Sequence, residues 1–250
     1  MIRLKITNSV LFLVVLCMLV FVGCDKYEMI KYESTDRLNF TGYDEWGQPS
    51  DDDGLLVWDG NFGINSQGDS LFIDTVRVGM KVSGERAAYA RKVFLKVKNV
   101  SDEPLDVFFR DDYVIAADSG RADFEIYVKR PTKRNVEYEA EVSIDYEKSD
   151  FEAGTVERQV FKLKCRDVVT QELWNVNSLF DYLFGEWSET KARFMITTIG
   201  MTSFSDWYSS ATFDQDYYKL LDTFEAYKND PSNPPLLDDK GEWISFPSLF

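Results

Sequence analysis

From Ser70 to about Val168, apolar side chains recur at every second position. Val76, Val78, Met80 and Val82 form one such run, Val93, Leu95 and Val97 a second, and Phe124, Ile126 and Val128 a third. Tyr138, Ala140, Val142, Ile144 and Tyr146 make a fourth, and Phe161, Leu163 and Cys165 a fifth. Alternation of this kind describes strands with one buried and one wet face. Turn-forming residues separate the runs at Gly84, Asn99–Pro104, Asp118-Ser119-Gly120, Pro131 and Asp150–Gly154. An earlier strand is expected over Arg37–Thr41 and a short one over Leu55–Trp58, with a loop, Gly42–Gly54, between them. No helix-period segment interrupts the series, so the expected fold is mainly β, an immunoglobulin-like antiparallel β-sandwich.

The period changes after Thr170. Ser178–Phe184 reads as a short helix, and Ser188-Glu189 opens another that runs through Ile199 to a stop at Gly200. Asp214–Lys228 places Tyr217, Leu220, Leu221, Phe224 and Tyr227 on one helical face. Pro231, Pro234 and Pro235 close that helix, and Lys240-Gly241 can turn a final hairpin between Leu236-Leu237 and Trp243–Phe246. The body therefore divides into a sandwich over 37–169 and a smaller α+β region over 170–250.

The amino terminus has a different character. Arg3 and Lys5 precede an apolar run from Val10 to Val22, and the chain turns polar directly after Gly23-Cys24. A basic start, a short apolar core and a small residue before the cut make a secretory signal. The run is short for a membrane span, which takes roughly 20 apolar residues. Gly23-Cys24 resembles the bacterial lipobox, and that resemblance implies that residues 1–23 are removed and Cys24 is lipidated. Residues 24–36 then form a polar tether, and the chain is expected in the cell envelope, lipid-anchored to the outer membrane. Asp25 and Glu28 resemble an acidic surface-export cue, which favours the outer face.

Charge and composition narrow the chemistry. The net charge is −15, and loss of Arg3 and Lys5 with the signal takes it to −17. A chain this acidic repels phosphate backbones, so nucleic acid is not expected as a partner. Histidine is absent, which removes Ser-His-Asp and Cys-His catalysis and His-ligated metals. Cys165 is the one cysteine of the body and sits on the apolar side of its strand, so a buried, inert thiol is expected. No cofactor and no enzymatic activity are expected. Paired carboxylates for glycoside hydrolysis remain a distant alternative, because so many acids always offer some pair at a workable separation.

Two kinds of candidate site remain. Asp51 and Asp53, in the run Asp51-Asp52-Asp53-Gly54, are the most calcium-like oxygen donors, and Asp111-Asp112 at a strand turn are the next. Both are also ordinary soluble turn sequences. Trp46, Trp58, Trp207 and Tyr208 sit in polar surroundings, where exposed rings stack on the weakly apolar faces of sugars. The competing reading is that these rings pack the core, as Trp174 and Trp187 are expected to do.

Three stretches carry a family resemblance: Val76–Gly84, Trp174–Ile199 with its Trp-Ser-Glu-Thr-Lys, and the ending Asp238–Pro247. With the sandwich, they resemble a family of Bacteroidota lipoproteins known only as a domain of unknown function. Asp112-Tyr113, Gly120 and the strand Ala122–Val128 also look like a Calx-beta sandwich. The family resemblance implies a non-catalytic accessory or interaction module of an outer-membrane complex, linked to uptake of glycans or nutrients. A carbohydrate-binding surface lipoprotein is the alternative.

Overall fold

The structure, a computed structural model, describes residues 35–43, 49–50 and 55–247. Among these described residues twelve strands appear in chain order. The first six are β1 (Arg37–Tyr43), β2 (Pro49–Ser50), β3 (Val57–Asn61), β4 (Ile73–Ser83), β5 (Arg91–Lys92) and β6 (Leu95–Asn99). The others are β7 (Val107–Phe108), β8 (Val114–Ile115), β9 (Arg121–Lys129), β10 (Glu137–Ile144), β11 (Glu152–Ala153) and β12 (Val160–Arg166). Among the described residues four α-helices follow: α1 (Phe180–Phe184), α2 (Glu189–Ile199), α3 (Phe204–Tyr208) and α4 (Phe213–Asn229).

The long strands form two sheets. One runs β11-β1-β4-β9-β7, with β2 added to β1, and the other runs β3-β12-β10-β6. Their pairings are antiparallel except β1 with β11 and β12 with β3. The alternation read from the sequence sets which side chains meet between them. Leu38, Phe40, Val76, Val78, Met80, Phe124, Ile126 and Val128 come from the first sheet. Tyr138, Val142, Ile144, Phe161, Leu163 and Cys165 come from the second, and Phe40 touches Phe161 across the gap at 6.2 Å. The expected antiparallel sandwich is therefore present. Burial pushes the Cys165 thiol up to about 12, so the group is a neutral core side chain at any ordinary pH.

A second apolar cluster starts at Val169 and gathers Trp174, Phe180, Phe184, Met195, Ile196, Phe204, Trp207, Tyr217 and Leu220. Helix α2 begins and ends as the sequence indicates. Ser188 accepts the Lys191 amide at the start, and Gly200 takes a left-handed φ of 75° at the end. The short α3, which the sequence reading does not include, is capped by Ser203, whose side chain accepts the Asp206 amide. The expected closing hairpin reduces to one bridge, Leu237 with Trp243, around a turn in which Gly241 has φ 80°. No helix among the described residues is long and apolar enough to cross a membrane.

Candidate functional site

The outward residues of β4 and β9 build a polar cleft. Successive residues of a strand point to opposite faces, so Arg77, Asp123 and Glu125 look away from the core that Val78 and Phe124 help to fill. The segment Arg110–Val114 leaves the sheet after β7 and forms the other wall, giving a cleft of about 420 Å³. Tyr113 anchors that wall. Its ring stacks on Phe124 at 4.6 Å, and its hydroxyl donates to the Glu125 carbonyl.

Ion pairs hold the cleft's side chains in place. Arg110 donates from Nε and Nη2 to the two oxygens of Asp112, both at 2.8 Å. Arg77 donates to Asp123 and lies over the Tyr43 ring, 5.2 Å from its centre. The Tyr43 hydroxyl donates to the other Asp123 oxygen at 2.5 Å. Burial, reinforced by the Asp123 charge, raises the Tyr43 phenol well above its ordinary value. Burial raises Asp123 too, but the hydrogen bonds from Tyr43 and Arg77 outweigh it and hold the carboxyl below its usual range. Asp112 is lowered by its bond to Arg110. Glu125 accepts only the Tyr127 hydroxyl, at 3.3 Å, and makes no ion pair among the described residues.

A second charged cluster lies where α2 meets the sandwich. Asp167, next after β12, receives Arg193 Nη1 at 2.6 Å and Arg130 Nε at 2.7 Å. Arg130 also donates to Asp69 at 2.7 Å, and Arg193 to Glu189 at 2.7 Å. Burial opposes ionisation of Asp167, yet the two guanidiniums prevail and its carboxyl stays below the ordinary value. All three side-chain nitrogens of Arg193 are bonded within the protein, so this cluster joins two parts of the fold.

The residues singled out in the sequence are scattered. Trp58 pairs in register with Leu163 on β12, so its indole faces the core side, lying over Gly60, and is no exposed platform. Trp207 is 0% exposed, stacked on Phe184 at 5.3 Å and against Phe213 at 4.9 Å, because α3 lays it into the second core. Tyr208, beside it, is 40% exposed and packs one face on Phe204. Asp111 is exposed, and the Arg110 guanidinium occupies the place a metal ion would take on Asp112. Among the described residues no three potential ligands gather for a metal. Cys24, Trp46, Asp51 and Asp53 lie outside the described residues. Of the cleft residues the sequence singles out Asp112 alone, as a metal ligand, while Arg77, Asp123 and Glu125 are present only as the wet face of alternating strands, which marks exposure without marking a site.

The family model that matches the chain covers residues 62–201, more than half of it, and is described as "Domain of unknown function (DUF4843)". The chain belongs to this DUF4843 family. The matched span holds the cleft residues Arg77 to Glu125 and the whole Asp167 cluster, and it ends at Met201, three residues before α3 begins. No curated protein matches the chain. Among solved structures, the DUF4843 chain is similar to the apo-form Calx CBD1 domain, at 11% identity over 54% of this chain and 100% of that one, TM-score 0.35. It is also similar to WR4, an MSP family member of C. elegans, at 11% identity over 45% of this chain and 93% of that one, TM-score 0.23. Likenesses this distant carry no argument about either fold or activity.

Proposed function

We propose that this chain is a non-catalytic, Bacteroidota-type lipoprotein of the cell envelope, anchored to the outer membrane through Cys24. It serves as an interaction module of an outer-membrane protein complex, linked to nutrient or glycan uptake. The observation that carries this reading is Gly23-Cys24 directly after a basic start and a short apolar run. The body supports it, since its side chains are arranged for rigidity. Cys165 is sealed in the core, and the carboxylates of Asp112, Asp123 and Asp167 are each held by a guanidinium. A carboxylate clamped in its ionised state is a poor general acid, because it has no proton to give near neutral pH.

The test is metabolic labelling with a fatty-acid probe, followed by membrane fractionation and cross-linking. Wild type should be labelled, sediment with the outer membrane and co-purify with a channel protein. Cys24→Ala should lose both label and membrane association, and label on that variant would sink the reading. A second reading, a carbohydrate-binding surface lipoprotein, is favoured by one observation: the cleft beside Arg77 is polar and preformed. Release of reducing sugar from a polysaccharide panel would overturn the non-catalytic view altogether.

A further inference from the structure

The geometry points to a saccharide site in the cleft formed by Arg77, Arg110, Asp112, Asp123 and Glu125, and this inference rests on the second reading above. The ligand class follows by exclusion. An anion meets no spare cation, since Arg77 is paired with Asp123 and Arg110 with Asp112, and Glu125 leaves the lining one negative charge in excess. A metal ion meets carboxylates already turned toward guanidiniums. An apolar ligand would strip water from five charged side chains without replacing their hydrogen bonds.

A neutral polyhydroxylic ligand avoids all three penalties. A guanidinium carries five N–H donors, and Arg110 commits only Nε and Nη2, so Nη1 remains to donate to a hydroxyl. Each carboxylate oxygen of Asp112 and Asp123 receives a bond from Arg110, Arg77 or Tyr43 and can accept another. Ion-paired planar groups thus present donors and acceptors side by side, the arrangement that a pair of neighbouring sugar hydroxyls matches. Glu125 supplies an acceptor that no arginine occupies. The pairs also fix the rotamers in advance, which lowers the ordering cost of binding. At about 420 Å³ the cleft lies within the range usual for small-molecule sites, roughly 300–1,000 Å³.

Affinity electrophoresis of the full chain in detergent, through gels holding neutral or acidic polysaccharides, tests the inference. Retardation by a neutral polysaccharide is expected, weakened at least tenfold in Glu125→Gln and in Arg77→Met. Arg77 is 59% exposed at its side chain and Glu125 is also exposed, so both variants should fold and unfold close to the wild-type midpoint. Absence of retardation by every polysaccharide, or retention by acidic ones alone, overturns the site. So does binding that survives both variants and disappears in Tyr208→Ala, which would move sugar recognition to the helical end and leave the second reading standing. Acylation at Cys24 is scored separately, so a failed sugar site is not mistaken for a failed anchor.

Discussion

Arg193 and Asp167 meet at 2.6 Å with their side chains 3% and 2% exposed, bonding helix α2 to the end of strand β12. The contact joins residues 26 apart and is enclosed by Arg130, Asp69 and Glu189. A pair this deeply buried is costly to make and more costly to half-remove.

The first prediction concerns that pair. Arg193→Met leaves Asp167 with Arg130 but deprives it of its closest donor, and Asp167→Leu leaves two guanidiniums facing each other. Breaking one side of a buried ion pair costs about 3–5 kcal/mol. Urea unfolding should place Asp167→Leu at that magnitude and Arg193→Met at or just below it. A loss under about 1 kcal/mol for both, the level of exposed pairs, would mean that the cluster does not hold the helices to the sandwich.

Acid should release the same lock. The folded Asp167 value is depressed below its ordinary 3.8, so its stabilisation is fully present above that value and is lost as pH falls through the lower folded one. Asp112 and Asp123 shift in the same direction and add to the trend. Thermal melts should therefore be flat near neutrality and fall below about pH 4, with a shallower fall in Asp167→Asn. Equal slopes for variant and wild type would remove Asp167 from the acid response.

Much of the fold is legible in the sequence because local signals carry it. The alternation through Val76–Val82 and Phe161–Cys165 marks strands whose one face is core, and the register puts those faces together. Ser188 and Gly200 bracket α2 because capping is a local effect. Trp207 misleads, since its polar neighbours in the sequence say nothing of Phe184, which lies more than twenty residues away and covers it. The Asp69–Arg130–Asp167–Arg193 cluster is invisible for the same reason, as its members meet only after the chain has folded. The cleft is hidden differently. Arg77, Asp123 and Glu125 read as ordinary wet positions until Arg110–Val114 closes against them.

Buried nucleophiles should be silent to labelling. The Cys165 thiol sits at about 12 within the sandwich, and Lys191 Nζ donates to the Phe184 and Glu186 carbonyls at 2.8 and 2.6 Å. Burial also lowers the Lys191 ammonium below its ordinary value. Peptide mapping after iodoacetamide and an amine-reactive ester should find both residues unmodified in the folded chain, with Lys240 modified as an exposed control. Urea should expose both. Labelling of Cys165 at the rate of a free thiol under native conditions would contradict its place in the core.

The last prediction tests how closely α2 seats on the sandwich. Gly68 holds φ 54°, and a Cβ placed there would lie 2.3 Å from Thr197 Oγ1 and 2.5 Å from its Cα. The next residue, Asp69, donates its amide to the same threonine hydroxyl at 3.0 Å while its carboxylate takes Arg130. Gly68→Ala therefore meets a backbone atom that no side-chain rotation moves, in a conformation alanine resists. Backbone strain and overpacking each cost about 1–3 kcal/mol, so a combined loss of about 2–6 kcal/mol is expected by urea unfolding. Thr197→Ser keeps the hydroxyl and should cost under about 1 kcal/mol. Combining Gly68→Ala with Thr197→Gly should recover part of the loss, because the threonine side chain is one of the two obstacles. A Gly68→Ala chain as stable as wild type would show that α2 sits further from the sandwich than this geometry requires.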